Sequence, residues 1–188
     1  MPNPASAAES HAVVLVGFMG AGKSSVGAKL AQLLNWKFED LDDHIQAREG
    51  KSIPQIFAES GESAFREIEH KTLSDLLAKT GASSRIIAVG GGAFVQEVNR
   101  TLLESAKVPT VFLDAPPEEL FRRCMEQKIE RPLRRDQHQF FQLYEDRRAH
   151  YATATLCINT HNRDVGKIAA EVAERLGLKP LLSEVKEF

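Results

Sequence analysis

Gly17-Phe18-Met19-Gly20-Ala21-Gly22-Lys23-Ser24 constrains this chain more than any other stretch, because it matches G-x-x-x-x-G-K-[ST] between an apolar run and a helical period. Gly20 and Gly22 leave room for backbone N–H groups to turn inward and cradle a phosphate. The helix beginning near Lys23 adds the positive end of its dipole. Lys23 is suited to bridge terminal phosphates, and the Ser24 hydroxyl to join a Mg²⁺ shell. The pattern therefore predicts a strand, a tight loop and a helix that bind a nucleoside triphosphate. It is silent on what becomes of the nucleotide.

The rest of the chain repeats the same alternation. Apolar, β-type runs occur at Ala12–Gly17, Lys37–Leu41, Arg85–Gly90, Val108–Asp114 and Thr155–Thr160. Three of them are nearly continuous in apolar residues, which suits parallel strands covered on both faces. Helical periods lie at Lys23–Leu34, Glu62–Leu77, Pro116–Glu126 and Asp164–Leu176. Strand–helix alternation predicts an α/β doubly wound sheet. We read 12–178 as one domain, between tails at 1–11 and 179–188 that are poor in apolar periodicity.

Composition excludes several classes. The 188 residues carry a formal net charge of −2, so no global positive field advertises nucleic acid or an acidic membrane as a partner. Two cysteines give neither a disulfide framework nor zinc-ligand spacing, and the six histidines form no metal-ligand pattern. No apolar run approaches the ~20 residues of a spanning helix, and the first residues lack the pattern of a signal peptide. The expectation is a soluble, cytoplasmic protein.

Neither N-K-x-D nor D-x-x-G is present, which argues against a GTPase, and the L-S-G-G-Q signature of transporter ATPases is missing too. A small chain of this kind moves a phosphoryl group to a small molecule, so an acceptor site is expected at the strand ends. Asp40 and Asp42 close the second run, where strand alternation would project both to one side. One could hold hydrated Mg²⁺ while the other accepts the proton of an attacking hydroxyl. The plainer reading is an acidic turn capping a helix from Asp43. Arg66 has Glu62 at i−4 and Glu69 at i+3: either a surface ion pair or a forked donor for a carboxylate. Gly90-Gly91-Gly92 suggests a ligand lying against bare backbone. Glu130–Gln142 carries three arginines and reads by itself as a charged surface loop.

Taken together, G-x-x-G-x-G-K-S, D-x-D, F-R-x-x-E (Phe65 to Glu69), G-G-G-A (Gly90 to Ala93) and R-P-L (Arg131 to Leu133) follow one another as in the shikimate kinases. The chain resembles that family from about Val13 to Leu176. The resemblance implies a nucleoside-monophosphate-kinase type of fold, with a five-stranded parallel sheet flanked by helices. It also implies a substrate-binding region near 42–77 and a lid near 128–142. The implied reaction is Mg²⁺- and ATP-dependent phosphorylation of the shikimate 3-hydroxyl, on the route to chorismate and the aromatic amino acids, by a monomer.

Carried over by motif, Gly20, Ala21, Gly22, Lys23, Ser24 and Ser25 would hold the nucleotide. Arg131 would close on its phosphates. Asp42 would contact the hydroxyls and act as base, with Lys23 and Arg131 sharing the catalytic work. Ser24 and, through water, Asp40 would hold the metal. Arg66 and Arg147 would grip the shikimate carboxylate, and Gly91 would lie against the ring. Two features depart from the family pattern. Arg147-Arg148-Ala149-His150-Tyr151 lacks a Pro-Leu before the tyrosine, leaving Arg148 as a substitute for Arg147, and the stretch from Arg131 to Arg147 is a few residues short. Arg123 and Arg163 are candidates to line the adenine, or else solvated helix charges. A kinase of another small hydroxy-acid such as gluconate, and a catalytically silent nucleotide-binding module, are the alternatives.

Overall fold

The structure, a computed structural model, describes residues 11–79, 83–126 and 136–179. Five strands form one parallel sheet: β1 (Ala12–Val16), β2 (Lys37–Asp40), β3 (Arg85–Ala88), β4 (Thr110–Asp114) and β5 (Leu156–Asn159), in the spatial order β2-β3-β1-β4-β5. The continuously apolar segments occupy the centre. Every residue of β1 and β3 is buried, whereas the edge strand β5 alternates buried with exposed. That is the distribution expected when helices cover both faces of a parallel sheet.

The order places β3 and β2 on one side of β1, and β4 and β5 on the other. The carboxyl end of β1 is therefore the point where successive connections turn to opposite sides, the position at which open α/β sheets form a ligand crevice. Leu15 pairs with Ala88, the last residue of β3, and Val16 with Phe112, two residues before β4 ends, so both neighbours flank the loop that leaves Val16.

Seven α-helices are described, with one 3₁₀ turn at Ala93–Val95: α1 (Lys23–Leu34), α2 (Leu41–Glu49), α3 (Ile53–Ala78), α4 (Glu97–Ser105), α5 (Pro117–Glu126), α6 (Gln137–Tyr151) and α7 (Val165–Arg175). α1 buries Val26, Leu30 and Leu34 of its apolar period, with Ala31 beside them, while Leu33 of that period is left exposed. α7 starts where Asp164 accepts from the Lys167 N–H, and buries Ile168, Ala169, Val172 and Ala173. α3 bends at Gly61, whose φ of 77° and ψ of 176° interrupt the helical path.

Several boundaries differ from the sequence reading. The second strand stops at Asp40, because its carboxylate accepts from the Asp42 N–H and starts α2 at Leu41. Capping has displaced strand alternation there, two residues earlier than the helix considered from Asp43. The predicted helix 62–77 is the second half of α3. Its first half opens with Gln55 Oε1 accepting from the Ser52 N–H. His11, assigned to the N-terminal tail, joins the sheet by accepting from the Arg85 N–H. Of the lid span 128–142, residues 136–142 are described. From Gln137 they belong to α6, with Phe140 fully buried. Arg131, Pro132 and Leu133, and the tails at 1–10 and 180–188, lie outside the described residues. Among the described residues no helix is long and apolar enough to cross a membrane.

Candidate active site

The loop from Gly17 to Gly22 owes its path to glycine. Gly20 has φ 81°, and a Cβ there would come within 2.6 Å of the Leu120 carbonyl on α5. Gly22 has φ 87°, caps α1 without any side-chain hydrogen bond, and has open space where a Cβ would stand. α1 also carries no acidic residue in its first turn. Its N-terminal amides thus face a space that the protein's own side chains leave to an anion. Lys23 Nζ donates to the carbonyls of Gly17 at 2.9 Å and Phe18 at 3.1 Å, folding its charge over the loop.

One cleft is lined by Met19, Gly20, Gly22, Lys23, Ser24, Ser25, Asp40, Asp42, Val89, Gly90 and Gly91. It brings together the phosphate loop, the two aspartates and two of the three consecutive glycines. Asp40 serves two elements at once: Oδ1 caps α2, and Oδ2 accepts from the Ser24 hydroxyl at 2.9 Å. Asp42, in the first turn of α2 and not on a strand, is half-buried with its carboxylate beside Gly90. A Cβ at Gly90 would lie 2.9 Å from Asp42 Oδ1, so the missing side chain is what admits the carboxylate.

Gly92 admits an arginine in the same way, while Gly91 leaves room for a Cβ at ordinary contact distance. A Cβ at Gly92 would meet Arg66 Nη2 at 2.5 Å, and one at Gly91 would stand 3.6 Å from Arg147 Nη1. The triplet was expected to let a ligand approach bare backbone, and Gly90 and Gly91 do line the cleft. At Gly90 and Gly92 it also lets the side chains of Asp42 and Arg66 close on that backbone.

Arg66 donates from Nη1 to Glu69 at 2.8 Å and from Nη2 to Glu62 at 3.1 Å, while its buried Nε has no hydrogen-bond partner. Burial alone would lower its pKa, but Glu69 and Glu62 outweigh that and hold it above its ordinary value. Burial pushes the Glu69 carboxyl up. Arg66 opposes the rise, and the Asp42 carboxylate adds to it. Glu69 is 1% exposed, far from the solvated pair that its i+3 spacing also permitted. The sequence reading gave it no role of its own. F-R-x-x-E puts it on the Arg66 face, but burial could not be read from spacing.

The two adjacent arginines of α6 diverge. Arg147 lies over the Phe18 ring at 6.0 Å and beside Gly91. Arg148 turns away to Asp114 Oδ2 at 3.0 Å and the Tyr144 hydroxyl at 3.1 Å. Phe18 itself makes edge-on contacts with Phe140 at 5.0 Å and Tyr144 at 5.6 Å, so α6 packs directly on the phosphate loop. Arg123 donates to the carbonyls of Gly20 and Thr160 and to Glu119. Arg163 binds the Asn159 carbonyl and Glu171. Both bond to protein groups, Arg123 part-buried and Arg163 at the exposed surface. Arg123 in particular braces the phosphate loop.

The cleft's metal-binding atoms would be oxygens alone: the Ser24 hydroxyl with the carboxylates of Asp40 and Asp42. Among the described residues no cluster of three or more His, Cys, Asp or Glu could cage an ion by itself. Such a set fits a hard cation that keeps waters and shares phosphate oxygens, as Mg²⁺ does.

Similarities to known proteins run along the same residues. The shikimate kinase family model matches residues 19–177. The chain is 37% identical over 166 residues to the shikimate kinase of Persephonella marina, spanning 87% of this chain and 98% of that protein. The crystal structure of the Aquifex aeolicus shikimate kinase superposes with a TM-score of 0.77 at 36% identity, covering 88% of this chain and 96% of that one. The shikimate kinase of Acinetobacter baumannii, in complex with shikimate, superposes with a TM-score of 0.79 at 29% identity, covering 92% and 96%.

Proposed function

The chain belongs to the shikimate kinase family, and from that premise we infer that it transfers the terminal phosphoryl group of ATP to the 3-hydroxyl of shikimate. The observation that carries this reading is the shared cleft: the phosphate loop, Asp42 and Gly91 line one wall-to-wall space, with Arg66 and Arg147 at the glycine triplet behind it.

In this reading Gly20, Ala21, Gly22, Lys23, Ser24 and Ser25 receive the ATP phosphates. Lys23 exchanges the Gly17 and Phe18 carbonyls for phosphate oxygens. Arg66 and Arg147 take the shikimate carboxylate in forked hydrogen bonds, which fixes the ring against Gly91. Asp42 accepts the proton of the 3-hydroxyl as its oxygen attacks the γ-phosphorus. A new oxygen–phosphorus bond forms, the bond to the β-phosphate oxygen breaks, and ADP leaves with its electron pair. Ser24 and, through water, Asp40 would hold Mg²⁺. When bound, the cation neutralises charge on the phosphates. Arg131, expected at the phosphates from its motif, lies outside the described residues. The enzyme works as a cytoplasmic monomer.

ADP release under Mg²⁺ and ATP, measured with shikimate and separately with gluconate, tests the reading. It expects turnover that depends on shikimate and stays at background with gluconate. Absence of shikimate-dependent release from folded protein, or equal turnover on gluconate, would contradict it.

A further inference from the structure

Tyr151 ends α6 one helical turn beyond Arg147, so the two side chains share a face. It is fully buried, with its ring tilted against Phe112 at 5.3 Å. The hydroxyl donates to the Gly91 carbonyl at 2.5 Å. Around the position that a Gly91 Cβ would occupy stand Tyr151 Oη at 3.5 Å, Arg147 Nη1 at 3.6 Å and the Gly17 carbonyl at 3.8 Å. One hydroxyl thus sits where α6, the glycine triplet and the phosphate loop converge.

We propose that Tyr151 is a positioning residue for the acceptor, its hydroxyl holding Gly91 and Arg147 in register. The inference rests on the reading that Gly91 and Arg147 receive shikimate. A grip on the Gly91 carbonyl fixes the whole Gly91–Gly92 peptide plane, since the peptide bond does not rotate. Arg66 is seated directly against Gly92, so the same plane also sets the floor beneath the other carboxylate-binding arginine. Burial pushes the Tyr151 hydroxyl up to about 12, with Arg147 pulling the other way, so it stays a donor across working pH.

The carbonyls of Gly90 and Gly92 accept from the backbone N–H groups of Ala93 and Val95, and the next three are held by other side chains. Asn99 donates to Ala93 at 2.9 Å, and Arg100 donates to Phe94 at 2.9 Å and Val95 at 2.6 Å. Those contacts secure the segment beyond the cleft. Tyr151 alone among these four side-chain contacts grips a residue that lines it.

Tyr151→Phe keeps the ring and its packing on Phe112 while orphaning the Gly91 carbonyl. The expected result is a rise of about tenfold in the KM for shikimate, the scale of one unsatisfied buried acceptor, with the KM for ATP and kcat within about twofold of the parent. Arg147→Ala is measured alongside, and should raise the shikimate KM by more. An unchanged shikimate KM in Y151F beside a raised one in R147A overturns the role of Tyr151 and leaves the acceptor reading standing. Parallel losses in kcat and in both KM values would make Tyr151 merely structural and overturn it as well. An unchanged shikimate KM in R147A would remove the acceptor reading for Arg147, and this proposal with it.

Discussion

The Ser24 hydroxyl donates to Asp40 Oδ2 across 2.9 Å, while Asp40 Oδ1 accepts from the Asp42 N–H at 3.1 Å. One carboxylate therefore couples the first turn of the nucleotide helix to the start of the helix that carries the proposed base. The two jobs can be separated. Asp40→Ala removes both and should cost about 1 kcal/mol of stability through the lost cap. Asp40→Asn keeps an acceptor for the cap but weakens the metal site, so its melting temperature should stay near the parent's while activity needs more Mg²⁺. Thermal melts with a Mg²⁺ titration of activity check this. An unchanged Mg²⁺ requirement in D40N would count against a metal role.

The close approach of Arg66 to Gly92 predicts a sharper effect than an Ala substitution usually has. In Gly92→Ala the new Cβ would sit 2.5 Å from Arg66 Nη2, the far end of a flexible side chain. The fold should survive because the guanidinium can move. The carboxylate grip should not, and the shikimate KM is expected to rise about tenfold or more with the KM for ATP little changed. Steady-state kinetics in both substrates check it, and an unaltered shikimate KM would mean that Arg66 does not need its present seat.

How far the sequence made this legible depends on whether a feature is local. The phosphate loop is contiguous, and its glycines do their work within a few residues. α1 and α7 announce themselves by an apolar stripe, α7 with an Asp cap as well. α2 does not: it buries only Leu41 and Ile45, and its capping Asp40 is also a plausible strand tip. The first half of α3 was hidden by Gly61, although Ser52, Pro54 and Gln55 form a readable helix start. α6 buries Phe140, Tyr144 and Tyr151 among many polar residues, because its face meets the phosphate loop and not the sheet alone. Asp42 and Arg66 were legible by motif. The buried Glu69 and the grip of Tyr151 on Gly91 depend on partners 20 or more residues away in the chain or on burial itself, which no local pattern encodes.

Glu119 gives a prediction about pH. Hydrogen bonds from Arg122, with burial opposing and Arg123 assisting, hold its carboxyl down at about 2. A depressed acid contributes stability above its unfolded pKa of about 4.5, and loses it as pH falls toward 2. Glu119→Gln should therefore melt below the parent at pH 7, with the gap narrowing from pH 4.5 downward. Melts across that range check it. A gap independent of pH would mean that the charge of Glu119 contributes nothing. Glu119 also holds Arg123, which braces Gly20, so the same variant should weaken ATP binding more than shikimate binding.

The central claim is that Asp42, placed beside Gly90 in the same cleft as the phosphate loop, takes the proton of the attacking alcohol. The most direct measurement is single-turnover phosphoryl transfer by Asp42→Asn under saturating Mg²⁺, ATP and shikimate. The account predicts a fall of about 10²- to 10⁴-fold in the transfer rate, with ATP affinity retained. Transfer at the parent rate, from folded and ATP-binding protein, would contradict it.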